Sequence, residues 1–130
     1  MEECNSYIFI DVQGYCLSFG YIPKEIAIFD GIRLANFLFK PPFKRNLLST
    51  QDDKIVAWSE EYHGLDWDSG YTDLNEVNGI IENIFFHFNK PKVYVKGVEK
   101  TKFLKKILGD ESIIGIPIFF YFVMVFVTYI

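Results

Sequence analysis

The run YIFIDV, residues 7–12, constrains the fold of this chain more than any other segment. It consists of β-branched and aromatic residues except for one charged side chain, Asp11. A short continuous run of this kind is typical of a strand that lies buried at the centre of a sheet. Gly14 follows the run and predicts that the strand ends there.

Two further strands follow this run closely. Residues 23–31, PKEIAIFDG, alternate in part and end at Asp30-Gly31, a dipeptide that favours a tight hairpin turn. Residues 33–42, RLANFLFKPP, form the return strand and end at two prolines, which lack the amide donor that a β-ladder needs. Residues 7–40 therefore predict a three-stranded antiparallel meander.

A helix is predicted over residues 49–64, because Ser49 or Thr50 can cap it and Gly64 can end it. Its apolar stripe is predicted to contain Ile55, Val56 and Trp58. The loop that follows contains His63, Asp66 and Asp68. These residues are open to interpretation as a metal or general-base cluster, but glycine, aspartate and aromatic residues in a loop favour turn chemistry.

The second half of the chain predicts a helix, a strand and a helix. Residues 71–88 form a helix capped by Thr72, and residues 92–97 form a short strand. Residues 99–110 form a second helix with four inward apolar side chains, Phe103, Leu104, Ile107 and Leu108. A meander followed by helix-strand-helix predicts an α/β fold.

Charged residues stop at Glu111, and the last 19 residues, 112–130, carry no charge. We therefore divide the chain into a domain over 1–111 and a hydrophobic tail over 112–130. Three interpretations of the tail stay open: a transmembrane helix at the lower limit of spanning length, a buried core element, and the end of a truncated or misread gene. The polar, acidic N-terminus is unlike a signal peptide, so the domain is expected in the cytosol or nucleus, anchored to a membrane if the tail inserts.

The net charge of -4 argues against a surface that is basic throughout, but one segment is locally basic. Lysines occur there with Tyr94 and Phe103 between them: Lys90, Lys92, Lys96, Lys100, Lys102, Lys105 and Lys106. Alternating basic and aromatic residues are typical of single-strand-binding surfaces, although a solvated helix face gives the same pattern. The two cysteines, Cys4 and Cys16, are too few for a disulfide framework and are expected to be reduced, buried thiols.

The segments YIFIDVQGY, KEIAIFDG, YHGLDWDSGYTDLNEV and VYVKGVEKTKFL, in this order, resemble the RNase H-like fold. In particular they resemble the DEDD-type 3′-5′ exonuclease superfamily, over residues 7–108. The chain is also similar to uncharacterised proteins of insects and insect viruses that open with FIDVQGF-like strands. The resemblance implies an RNase H-like α/β domain that is incomplete at its C-terminal end.

The resemblance implies a degenerate active site. Asp11 matches the first family carboxylate, whereas Gln13 stands where the second would be. Lys100 stands at the next metal-binding aspartate and Lys96 at the family asparagine, and no histidine follows His87 to begin the last motif. Two-metal cleavage needs carboxylates that hold two cations about 3.5–4 Å apart, and a single carboxylate does not supply them. The Lys100 ammonium is instead expected to pair with Asp11.

The sequence therefore predicts a catalytically impaired exonuclease-like module without a cofactor. It is expected to bind single-stranded nucleic acid through four lysines, Lys92, Lys96, Lys100 and Lys102. The alternative is a membrane-tethered interaction protein without catalysis. A residual nuclease is the third hypothesis; it would use Mg²⁺ or Mn²⁺, with Asp11 as a weak metal ligand.

Overall fold

The computed structural model describes residues 7–116 of the 130-residue chain. This part of the chain forms five strands and three α-helices. In chain order they are β1 (Tyr7–Leu17), β2 (Gly20–Phe29), β3 (Leu34–Leu38), α1 (Thr50–His63), α2 (Val77–His87), β4 (Lys92–Lys96), α3 (Val98–Leu108) and β5 (Ile113–Ile116). Single turns of 3-10 helix lie at Arg45–Leu47 and Leu74–Glu76.

The strands form one mixed sheet with the order β3-β2-β1-β4-β5. β4 runs parallel to β1, with Tyr7 opposite Lys92 and Phe9 opposite Tyr94. β5 runs parallel to β4, with Ile116 opposite Lys96. β1 and β2 are joined by two residues, a connection that only antiparallel neighbours can have. The predicted α/β class is confirmed, as a five-stranded mixed sheet with three helices.

The prediction that Gly14 ends the first strand is wrong, because β1 continues to Leu17. Gly14 lies inside the strand and faces the backbone of β2. A Cβ atom there would lie 2.2 Å from the carbonyl oxygen of Ile22. The glycine therefore permits a close approach between two strands rather than a turn.

The described residues divide into two compact units. One contains 7–11, 27–35 and 78–116, and the other contains 12–26 and 36–77. In the first unit the buried side chains come from four strands and two helices: Ile8, Ile10, Ala27, Ile28, Val93, Val95, Ile113, Ile81, Phe85 and Leu104. The core of the second unit contains Tyr15, Leu17, Val56 and Trp67.

Helix α1 begins as predicted, since the Ser49 side chain accepts a hydrogen bond from the Asp52 N–H. It ends at Gly64, which has the left-handed φ of 72°. The predicted stripe is partly wrong: Val56 is buried, but Trp58 is 63% exposed. Two positions along a helix correspond to about 200° of rotation, so Trp58 cannot share the face of Val56.

Helix α2 begins five residues later than the predicted cap at Thr72. The backbone of Thr72 pairs with the segment after β3, because its N–H donates to Leu38 and its carbonyl accepts from Lys40. These bonds hold Thr72 beside the segment after β3, and the 3-10 turn Leu74–Glu76 separates it from the first residue of α2. The predicted burial is also wrong for Cys16, which is a free thiol as predicted but is exposed, whereas Cys4 lies outside the described residues.

The start of the hydrophobic tail belongs to the sheet. β5 (Ile113–Ile116) pairs with β4, and Ile113 is buried. None of the helices within residues 7–116 combines the length and the apolar character needed to cross a membrane. Residues 117–130 lie outside the described part of the chain, so the membrane-anchor and truncated-gene interpretations stay predictions.

Candidate functional site

Asp11 and Lys100 form an ion pair in the first unit. The Lys100 Nζ atom lies 3.7 Å from Asp11 Oδ1, and the two side chains are 17% and 24% exposed. Helix α3 follows β4 directly, and its N-cap residue Gly97 has a φ of 101°. A Cβ atom on Gly97 would lie 3.4 Å from Lys100 Cδ, so the lysine stem passes close beside this glycine. The predicted pairing of Lys100 with Asp11 is present.

This donor set does not fit a two-metal centre. Asp11 contributes one carboxylate, Gln13 an amide on the same strand, and Lys100 an ammonium at the carboxylate. An ammonium beside the carboxylate repels a divalent cation and competes for its oxygen. No cluster of three or more histidine, cysteine or acidic side chains within residues 7–116 is arranged to hold a metal ion.

Lys92 and Lys96 project from the same side of β4 as Tyr94, because side chains alternate along a strand. The intervening Val93 and Val95 are fully buried on the other side. Sequence reasoning placed the two lysines in one basic segment. The strand now arranges them in a row, with an aromatic ring between them.

Lys102 lies on α3 and borders a groove. Its ammonium lies 3.9 Å from Glu99, an exposed pair that contributes little to stability. The groove has a volume of about 830 Å³ at the carboxyl ends of β4 and β5. Its lining includes three lysines and three smaller or apolar residues: Lys96, Lys102, Lys105, Val98, Thr101 and Ile116. Crevices at the carboxyl ends of parallel strands are common ligand sites, and these lysines favour an anion.

Three aromatic rings missed by sequence reasoning lie on the same side of the sheet as Tyr94: Tyr7, Phe9 and Phe29. The ring centroids of Phe9 and Tyr94 are 5.5 Å apart, and those of Tyr7 and Tyr94 are 5.9 Å apart. Phe9 also stacks on Phe29 at 6.3 Å. The alternation in YIF and KVYVK indicates which residues share a side of each strand. It does not indicate which side lies open.

The loop after α1 is organised around Trp67, in the second unit. The Trp67 backbone N–H donates to Glu60 Oε2 at 2.8 Å, and its indole N–H donates to the Phe43 carbonyl at 3.0 Å. His63 Nδ1 accepts a hydrogen bond from the Leu65 N–H. These contacts fit the turn interpretation of this loop, with Asp66 and Asp68 exposed around a buried tryptophan.

Lys24 is buried under this loop at 2% exposure. Its ammonium donates to the carbonyl of Trp67 at 2.7 Å and to the carbonyl of Ser69. Burial lowers the pKa of Lys24 to about 8. A hydrogen bond with Glu60 raises the pKa of Asp66, because the two carboxyl groups share a proton more readily than they both ionise.

Comparisons of the chain with family models, with curated proteins and with solved structures give no match. The functional assignment therefore depends on the residues of the first unit and their geometry. Two features of that unit have functional chemistry: the Asp11–Lys100 pair, and the lysines and aromatic rings of the sheet.

Proposed function

We propose that this chain is a catalytically impaired, RNase H-like module that binds single-stranded nucleic acid. The order of elements supports the fold assignment, since three consecutive neighbouring strands precede the helices and the parallel strand β4. That order agrees with the segments on which the resemblance to the DEDD-type exonucleases depends.

The observation that carries the proposal is the row formed by Lys92, Tyr94 and Lys96 beside the Asp11–Lys100 pair. The row supplies cations for phosphates and a ring for a base, the two features that single-strand-binding surfaces combine. The ion pair places a cation where cleavage chemistry would need a metal ion. The surface thus supports binding, while the donor set argues against hydrolysis.

Binding is tested with the full chain and a fluorescently labelled single-stranded oligonucleotide, by anisotropy at several salt concentrations. We expect log K to fall linearly with log salt, with a slope of about −0.7 for each phosphate contact. Replacing two lysines, Lys92→Glu with Lys96→Glu, should weaken binding and make the slope shallower. Lys100 is left unchanged in this variant because it neutralises Asp11.

The matched control is Lys44→Glu with Lys54→Glu, which changes net charge equally at two exposed lysines of the other unit. This control should retain most of the wild-type affinity. Equal weakening by the two double variants would show a general charge effect, and absence of wild-type binding at low salt would refute the proposal.

The impairment is tested by incubating the full chain with single-stranded substrate and Mg²⁺ or Mn²⁺. We expect no cleavage above background. Metal-dependent cleavage that is abolished by Asp11→Asn would establish the residual nuclease instead. The membrane-tethered alternative concerns residues 113–130 of the hydrophobic tail, and carbonate extraction of membranes that contain the full chain tests it.

A further inference from the structure

The sheet of the first unit has two chemically different sides. On one side, Ile8, Ile10, Val93 and Val95 are 0–1% exposed and form part of the core. The other side contains the four rings Tyr7, Phe9, Phe29 and Tyr94, which we call the aromatic face. The strand register places Tyr7 opposite Lys92 and Phe9 opposite Tyr94, so these side chains share this side.

The rings of the aromatic face are accessible to different degrees. Tyr7 is 53% exposed, and Phe9, Phe29 and Tyr94 are partly exposed. The Tyr7 ring is steeply inclined to its neighbours, at 80° to Phe9 and 88° to Tyr94, whereas Phe9 and Tyr94 are inclined by only 33°. A contiguous aromatic surface that is partly exposed marks an interaction site more often than an isolated exposed ring does.

The positively charged side chains around the aromatic face favour an anionic ligand. Lys92 and Lys96 lie on β4 on either side of Tyr94. Asp11, on the same side of β1, is paired with Lys100, so its charge is largely compensated. The face therefore combines rings with a local excess of positive charge, although the whole chain carries a net charge of -4.

We infer that the aromatic face is a stacking surface for unpaired bases, with Lys92 and Lys96 contacting the adjacent phosphates. Sheet-borne aromatic rings in RNA-binding modules stack about two or three bases, and the accessible rings Tyr7, Phe9 and Tyr94 suit a similar number. The inference rests on the proposed function and adds a selectivity to it. Duplex bases stack on each other and hide their faces, so the surface should prefer single strands.

A comparison of oligonucleotides with and without bases distinguishes stacking from phosphate contact. Two labelled oligonucleotides of equal length are compared by anisotropy, one with normal bases and one with abasic sites throughout its centre. The full wild-type chain should bind the normal strand at least about 10-fold more tightly, since each stacked base adds to the affinity and an abasic site has no base to stack. A duplex of the same sequence should bind about as weakly as the abasic strand.

The variant Tyr7→Leu with Tyr94→Leu keeps apolar side chains but removes two rings. It should lose most of the preference for the normal strand, because only Phe9 and Phe29 of the aromatic face remain, and retain the wild-type salt slope on the abasic strand. Tyr7→Phe with Tyr94→Phe keeps the rings and should retain the preference. The control Tyr62→Leu with Tyr71→Leu, at two exposed tyrosines of the other unit, should bind like the wild type.

The outcomes distinguish this inference from the proposed function. Absence of wild-type binding to either strand refutes both. Salt-dependent binding with no preference for the normal strand refutes stacking and leaves lysine-mediated binding intact. Concentration-dependent self-association that is abolished by the Tyr7→Leu with Tyr94→Leu variant would assign the aromatic face to a second copy of the chain, and would also refute stacking. The wild-type comparison needs no variant, so it stands even if the leucine variant fails to fold.

Discussion

At the scale of single residues, the Asp11–Lys100 pair is the feature by which we propose that this chain differs from a metal-dependent nuclease. A carboxylate on a central strand is common to both. What differs is the partner, because Lys100 brings a positive charge to a position where the exonuclease resemblance places another carboxylate. In the structure, the Lys100 ammonium lies 3.7 Å from the Asp11 carboxylate, close enough to compensate its charge.

We predict a measurable coupling between Asp11 and Lys100. A double-mutant cycle of Asp11→Ala and Lys100→Ala, followed by urea unfolding, should give a coupling free energy of about 0.5–1 kcal/mol. The pair is only partly exposed, so solvent screens it less than the exposed pair Lys102–Glu99. A cycle on Lys102 and Glu99 is the control and should give about 0–0.5 kcal/mol. Equal coupling in the two cycles would contradict the prediction.

Lys24 gives a prediction about pH. Its pKa falls from 10.5 in the unfolded chain to about 8 in the folded one, so the folded state binds the proton less tightly. Between these pH values the unfolded state holds more protons, and stability contributed by Lys24 therefore rises with pH. Relative to Lys24→Met, the wild type should gain about 2–3 kcal/mol of unfolding free energy from pH 8 to pH 10.5.

Urea unfolding of the wild type and Lys24→Met across this pH range checks the prediction. The difference between the two proteins is the relevant quantity, because burial also raises the pKa of Tyr15 and makes both proteins less stable at high pH. Below pH 8, Lys24→Met removes a buried charge, which stabilises the folded protein. It also leaves the Trp67 and Ser69 carbonyls without the ammonium donor, which costs about 1–3 kcal/mol and partly offsets that gain. A difference that does not change with pH would show that Lys24 titrates normally.

At the scale of elements, β1 shows that a glycine after a hydrophobic run can permit close packing of two strands instead of forming a turn. Glycine at the end of a hydrophobic run usually indicates a turn, yet Gly14 lies within an 11-residue strand. The carbonyl of Ile22 and the Cα atom of Pro23 lie where a side chain would be. Neither of these neighbours can be recognised from the local sequence.

We predict opposite effects for alanine at two glycines. Gly14→Ala should destabilise the protein by about 2–4 kcal/mol, because the new methyl group would meet backbone atoms at 2.2 and 2.9 Å. Gly79→Ala is the matched control in α2, where nothing apart from the adjoining helix backbone lies within 4 Å of the new methyl group. It should stabilise the protein by about 0.5–1 kcal/mol, since alanine favours helix. Thermal and urea unfolding measure both; a mild effect at Gly14 would contradict the strand packing.

At the scale of the whole molecule, the net charge is negative, whereas the groove of the first unit is lined by positive charges. The chain carries 17 acidic and 13 basic side chains, but three lysines line one groove in the first unit. Binding to an anion depends on this local arrangement and on screening by salt rather than on the isoelectric point.

We predict that millimolar Mg²⁺ or Mn²⁺ leaves the melting temperature of the full chain unchanged within about 1 °C. A ligand at about 100 times its dissociation constant would stabilise the folded state by about 2.7 kcal/mol, which is several degrees for a domain of this size. Differential scanning fluorimetry with and without EDTA checks this. A metal-dependent rise that disappears in Asp11→Asn would contradict our interpretation of the site.

The sequence by itself determined the features that depend on neighbouring residues. The α/β class, the Ser49 cap, the Gly64 end of α1 and the turn at Asp30-Gly31 were all predictable from caps, turn residues and periodicity. The pairing of Lys100 with Asp11 was predictable through the resemblance, although its distance was not. These features need only residues close in the chain, or one aligned position.

Tertiary structure alone decided the features that depend on residues far apart in the chain. Gly14 permits β1 to continue because β2 approaches it closely, and the backbone of Thr72 pairs with the segment after β3 while α2 begins only at Val77. Alternation could place Tyr7 with Phe9, and Lys92 with Tyr94, but only the strand register joins the two sets on one side. Local sequence chemistry specifies the elements, whereas backbone pairing and packing across the sheet decide which residues meet and which side stays open.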